Sequence, residues 1–337
     1  MRRLGWVAAV LWLLAQATAA SAADRPILAY LASWYEPPAA RAADTRIARL
    51  PRYVDILALS FARPDPIYPP GGELTGSGLQ FQFPAAVLRE AIALRKARNP
   101  GARVLISVGG STYRRWDRYD EAAIARLVRD LGADGVDLDY EPSDPQCENT
   151  GGTVRCRSDA VWIDLVRRTR QVLPRPYMLA VAGWSVGAYG EGAWRMAPPR
   201  SPWTGSMLGL LRAPEAGQID LVSIMGYDAG PSYDPLEGFR AYRNYWRGTL
   251  ALGIQVLPPD SPGAGAPGAD VPGQRFTVQR TGRLLAGIAA DPAAAAMLYG
   301  FGLTPTGAIG PDNPDAGLLA RTICTGFARK GCERPVP

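Results

Sequence analysis

Short runs of apolar residues recur along the chain at 26–33, 54–61, 103–109, 135–140, 177–182, 220–225, 252–257 and 296–301. Several are nearly unbroken, which is the pattern of parallel strands covered on both faces. Between them lie stretches with helical spacing. One helix is predicted over 84–98, opened by Pro84 and stopped by Asn99-Pro100-Gly101. A second, over 120–131, has an acidic first turn and puts Ile124, Leu127, Val128 and Leu131 on one face. A third, over 158–173, carries Ser158 as its expected cap and gathers Val161, Trp162, Leu165, Val166 and Val172 on one side. Eight strand–helix alternations in a chain of 337 residues predict an α/β fold, a (β/α)8 TIM barrel forming a single domain. An open doubly wound sheet is the alternative, but no glycine fingerprint follows the first strand.

Composition adds boundaries to this picture. Hydrophobic residues make up 47% of the chain, enough for one large core. Met1-Arg-Arg, the apolar run from Gly5 to Ala15 and the small residues Ala20-Ser21-Ala22-Ala23 form the pattern of a cleaved secretory signal. The run is shorter than the roughly 20 residues of a spanning helix. The expected organisation is therefore a leader over 1–23 and a catalytic domain over 24–337, in a secreted or periplasmic protein with no membrane attachment once the leader is gone. The four cysteines fall in two close pairs, Cys147 with Cys156 and Cys324 with Cys332, each a plausible local disulfide in an oxidising compartment. Four cysteines formally permit three connectivities. With no histidine in the chain, zinc ligation, Ser-His-Asp and Cys-His catalysis lose their usual partners. The formal charge of +6 drops to +4 when Arg2 and Arg3 leave, and the arginines are interleaved with acids, so a solvated surface is expected rather than a nucleic-acid partner. The loops 64–78 and 258–273 are rich in Pro and Gly and follow strands, which puts them on the rim where barrels build clefts.

The segment Asp134-Gly-Val-Asp137-Leu-Asp139-Tyr-Glu141 carries the chemistry. Strand alternation sends Asp137, Asp139 and Glu141 to one face, the barrel interior, and Val136, Leu138 and Tyr140 to the helix layer. Three stacked acids in a dry interior cannot all ionise, so at least one keeps a proton. A protonated carboxyl at a strand end suits glycosidic bond cleavage, where the departing oxygen must receive a proton. A metal site is the rival, but a hard cation draws ligands from loops as well.

This segment matches, at every fixed position, the Asp-Gly-x-Asp-x-Asp-x-Glu signature of family 18 glycoside hydrolases, and the chain resembles that chitinase family at other landmarks. Ser107-Val-Gly109-Gly110 looks like its Ser-x-Gly-Gly motif, Met225-Gly-Tyr227-Asp228 like its Met-x-Tyr-Asp, and Ala29-Tyr30 like its Gly-Tyr. The resemblance implies retaining, substrate-assisted hydrolysis of β-1,4-linked N-acetylglucosamine polymers or oligomers without cofactor or metal. Glu141 is implied as general acid and base, Asp139 as partner of the acetamido N–H, Asp137 as sharing a proton with Asp139, and Tyr227 as donor to the acetamido oxygen. Tyr30, Ser107, Gly109, Gly110, Met225, Asp228 and Tyr299 make up the implied binding set. Tyr299 stands where the family usually has a tryptophan flooring the subsite of the cleaved sugar. Trp34, Trp116, Trp184, Trp194 and Trp203 follow strands or lie in their loops, where each could line a sugar cleft or simply pack. The expected partner is a carbohydrate and the expected state a monomer. Peptidoglycan or an N-glycan core as substrate, and a sugar-binding lectin without turnover, are the alternatives.

Overall fold

The computed structural model describes residues 25–257 and 275–337, so the expected leader and the 258–273 loop lie outside the described residues. In chain order the strands are β1 (Ile27–Ala32), β2 (Ile56–Ala62), β3 (Arg103–Gly109), β4 (Gly135–Asp139), β5 (Cys147–Thr150), β6 (Thr153–Cys156), β7 (Met178–Trp184), β8 (Leu221–Met225), β9 (Thr249–Gln255) and β10 (Ala294–Phe301). The α-helices are α1 (Arg46–Arg49), α2 (Ala85–Arg98), α3 (Glu121–Leu131), α4 (Ser158–Val172), α5 (Leu208–Arg212), α6 (Pro235–Tyr245), α7 (Val278–Ile288) and α8 (Ala316–Gly326). Eight parallel strands close a barrel in the order β1-β10-β9-β8-β7-β4-β3-β2, while β5 and β6 form a separate antiparallel hairpin. The expected TIM barrel is the observed fold.

Alternation along each strand builds two apolar layers. Leu57, Val104, Ile106, Val136, Leu138, Leu179, Val222, Leu250 and Leu252 point outward and pack with the helices. Inside lie Leu28, Tyr30, Ile56, Ala58, Leu105, Ala180, Leu221, Ala251, Ala295 and Met297. Four of these ten are alanines, and β4 contributes no apolar side chain to the set. Its interior positions are Asp137 and Asp139. The core thus leaves room for a polar layer inside the barrel, near its C-terminal end.

The opposite rim shows how the chain treats an acid used for structure. Asp55, Asp134 and Asp220 each stand directly ahead of a barrel strand and accept an amide N–H from the strand before it: Ile27 (2.8 Å), Val104 (2.9 Å) and Leu179 (2.8 Å). Each also holds a cation: Arg329 on Asp55, Lys96 on Asp134, and Arg170 with Arg175 on Asp220. Asp291, just ahead of β10, pairs with Arg243 in the same way. Strand ends that otherwise expose N–H groups are tied together by these bonds.

Two local expectations are revised, and the two expected cysteine pairs form. Ser158 does not cap α4: the N-cap is Arg157 with no side-chain bond, and Asp159 accepts the Cys156 N–H instead. Cys147 and Cys156 are joined, as are Cys324 and Cys332. The first pair sits directly opposite in the β5–β6 hairpin, whose Gly151 and Gly152 both have positive φ. That Gly-Gly signal for a two-residue hairpin was present in the sequence. The second revision concerns β10. Plain alternation turns Met297, Tyr299 and Phe301 to the interior, yet Phe301 packs in the outer layer. The pairing of β1 with β10 slips between Ala29↔Leu298 and Leu31↔Phe301, and Gly300 at φ +82° takes up the extra residue. A bulge of this kind reverses the facing of everything after it.

Candidate active site

The ladder of β3 against β4 pairs Ser107 with Asp137 and Gly109 with Asp139. Ser107 Oγ donates to Asp137 Oδ2 at 2.6 Å, and Tyr30 Oη reaches the same oxygen across the barrel at 2.8 Å. Tyr30 also lies 3.3 Å from Ser223 Oγ. Burial, with Asp137 and Asp139 adding to it, holds the Tyr30 phenol well above its usual range, so it stays a donor. Asp139 has no such help. Its Oδ1 and the Oδ1 of Asp137 are both buried without a hydrogen-bond partner among the described residues.

The three acids differ in how strongly they keep a proton. Burial pushes Asp137 up to about 6, while its bonds from Ser107 and Tyr30 pull the other way. Burial, then Glu141, then Asp137 hold Asp139 well above the carboxylate range. Burial raises Glu141 to about 7; Arg114 opposes this and Asp228 adds to it. Desolvation is the leading cause in every case, as expected where acids replace core residues. A carboxyl near 7 at the mouth of a cavity can both give and take a proton near neutrality.

Glycine makes the close approach of strands possible here. A Cβ on Gly109 would lie 2.3 Å from the Asp139 carbonyl oxygen, and both Gly109 and Gly110 have positive φ. The Gly110 N–H donates to that carbonyl at 2.9 Å. On the other side, Tyr227 follows β8 and stacks on Tyr299 with centroids 5.4 Å apart and planes at 22°. The Tyr227 hydroxyl makes a contact of 4.0 Å with the Met297 sulfur. Burial, then Tyr299 and the nearby acids, keep it protonated. Asp228 has φ 52° and accepts from Gln255 Nε2 at 3.1 Å. Burial raises its pKa against that bond.

A cavity of about 420 Å³ opens above these groups, lined by Asp139, Glu141, Met225, Tyr227, Asp228 and Tyr299 together with Trp34, Tyr35, Phe61, Trp184 and Gln255. A second space of about 360 Å³ lies on the other flank of Glu141, bordered by Arg114, Trp116 and Tyr140. Of the expected binding set, Met225, Asp228 and Tyr299 line the main cavity. Tyr30 and Ser107 do not: they are enclosed beneath it and meet Asp137, and Gly109 and Gly110 shape the backbone beside Asp139. Trp34 and Trp184 reach the cavity, whereas Trp116 packs between Tyr119 and Tyr140. Tyr35, Phe61, Gln255 and Arg114 escaped the sequence reading. Gln255 alone left a signal, as a lone polar residue in a run of apolar ones.

No family profile matches the chain. A chitinase of Plasmodium falciparum (isolate 3D7) is 36% identical over 103 residues, a match covering 27% of this chain and 27% of that protein. The chain therefore matches only about a quarter of the length of that curated relative. Solved structures resemble it over far more of its length. A family 18 chitinase from Pseudoalteromonas aurantia superposes with a TM-score of 0.60 at 19% identity, covering 89% of this chain and 99% of the other. A family 18 chitinase from Chromobacterium violaceum gives 0.60 at 13%, covering 91% and 84%. Catalytic domain 2 of the Ostrinia furnacalis group II chitinase gives 0.58 at 16%, covering 93% and 98%. The chain has the barrel fold of the family 18 chitinases.

Proposed function

We propose that this chain is a family 18 glycoside hydrolase that cleaves β-1,4-linked N-acetylglucosamine polymers or oligomers with retention, the substrate's own acetamido group acting as nucleophile. The observation that carries this reading is the graded set Asp137, Asp139 and Glu141 on one strand, ending in a carboxyl near 7 at a tyrosine-lined cavity. Asp137, with two hydroxyl donors on one oxygen, is the member suited to carry charge. Asp139, with none and with acids on both sides, is suited to keep the proton and give it to the free oxygen of Asp137. Glu141 protonates the departing oxygen, leaving a carboxylate that later takes a proton from water. The acetamido oxygen attacks the anomeric carbon as that bond breaks, forming an oxazolinium ion. Asp139 binds the acetamido N–H, and Tyr227 donates to the acetamido oxygen. Asp228 contacts the sugar, and Tyr299 offers it an aromatic face.

A mutant of the Ostrinia furnacalis domain was solved in complex with penta-N-acetylchitooctaose, and its fold superposes on this one with a TM-score of 0.59. That likeness supports the choice of substrate class. Export through the leader at 1–23, with 24–337 as the mature catalytic domain, completes the proposal. Both disulfides accord with an oxidising compartment. Among the described residues no helix is long and apolar enough to cross a membrane.

The test is product analysis by NMR. Chitin oligomers are expected to be cleaved with the β-anomer appearing first, and cello-oligomers of equal length to be left intact. An α-anomer as first product, or cleavage of the cello-oligomers, would remove substrate assistance.

A further inference from the structure

Outside the acid strand, one side of the cavity is formed by a tryptophan that is backed by a second one. Trp184 ends β7 and lines the same cavity as Glu141. Trp203 stacks against it with ring centroids 4.7 Å apart and planes at 26°. The Trp203 indole N–H then donates to the carbonyl of Pro142, the residue after Glu141, at 2.8 Å. The backbone beneath Trp184 is fixed as well, since its carbonyl accepts from Tyr242 Oη at 2.5 Å and from the Gly187 N–H at 2.9 Å. An indole face in the cavity is therefore held from behind, by a bond that ends on the segment carrying Glu141.

Barrel order says which sugar that face would meet. β7 neighbours β4 and stands four places from β1 in either direction, directly across the barrel. Trp34 follows β1, and Tyr299 lies on β10 beside it. This step rests on the function proposed above. A sugar seated on Tyr299 and Tyr227 presents its glycosidic oxygen to Glu141, so the ring beyond that oxygen passes toward β7. The pyranose C–H face and an indole are well matched for stacking.

We infer that Trp184 is the platform for the sugar on the leaving side of the cleaved bond, and that Trp203 positions this platform and the Glu141 segment as one unit. Stacking on the leaving sugar gives long oligomers an advantage that a substrate with a small leaving group lacks. It also orients the departing oxygen toward the acid.

The experiment compares kcat/KM on the N-acetylglucosamine pentamer with that on chitobiosyl fluoride, whose leaving group is one atom. For Trp184→Ala the loss on the pentamer is expected to exceed the loss on the fluoride by about tenfold. Trp184→Phe, which keeps a ring and a filled core, is expected to recover part of the difference. Trp203→Phe keeps the stack but removes the N–H; its kcat should drop by about tenfold on both substrates while KM for the pentamer stays within twofold or so. Equal losses on the two substrates in both Trp184 variants would overturn the platform. Wild-type kcat in Trp203→Phe would overturn the positioning role. A wild-type protein that turns over neither substrate would instead sink the proposed function, and this inference with it.

Discussion

The two ends of the barrel use the same residue type in opposite ways. At the N-terminal rim, Asp55, Asp134 and Asp220 each accept a backbone N–H and hold an arginine or lysine. Toward the other end, the Asp137 carboxyl is bonded only by hydroxyls, the Asp139 carboxyl accepts nothing among the described residues, and Arg114 is the cation acting on Glu141. Paired acids stitch strands together and add stability. Unpaired acids in the interior cost stability, and what they gain is a proton held near neutral pH. In this barrel the acids that hold strands together are bonded by a backbone N–H and a cation, and the acids that keep a proton are buried without an ion pair.

The largest effect that tests this contrast is at Glu141. Glu141→Gln keeps the shape and removes the proposed proton donor, so turnover of chitin oligomers should fall by roughly 10³-fold, with the denaturation midpoint unchanged or higher. A variant that keeps a tenth of the activity would end the assignment. In the wild type, rates should decline as pH rises past the Glu141 value of about 7, because the proposed mechanism uses its acid form.

Next is the pH dependence of stability. Asp137, Asp139 and Glu141 all have folded pKa values above the ordinary ones, so the folded chain binds more protons than the unfolded chain. Their contribution is complete below about pH 4 and is lost as pH rises through the folded values. For Asp137, raised to about 6, this amounts to roughly 3 kcal/mol. Urea midpoints should fall between pH 4 and pH 7.5, and the slope should flatten in Asp139→Asn.

At the opposite rim the sign of the mutation reverses. Asp220→Ala strands the Leu179 N–H and leaves Arg170 without its carboxylate, so unfolding should become easier by about 2 kcal/mol. Activity per folded molecule should be retained. If that variant lost turnover and kept its stability, the two rims would not be divided as described.

The smallest effect is at Tyr299. Replacing it by alanine should cost about 1–2 kcal/mol of transition-state binding on chitin oligomers, read as kcat/KM, while tryptophan should preserve or improve it. Unchanged kinetics in the alanine variant would move the sugar floor elsewhere on the cavity wall.

The hydrophobic pattern was enough to specify the barrel, because apolar runs of strand length alternating with amphipathic helices have few other solutions. It also determined that Asp137 and Asp139 face inward, since a period of two is a property of the strand alone. The rest came from contacts made across the folded chain. Nothing near Asp55 announces that Arg329, 274 positions away, will neutralise it. Nothing near Asp139 announces that no partner will come. Phe301 left the interior because Gly300 absorbed a register slip against β1, and Trp203 found the Pro142 carbonyl across 61 positions. Periodicity is local and can be read along the chain. Pairing, burial and the proton affinities that follow from them depend on groups brought close only when the barrel shuts.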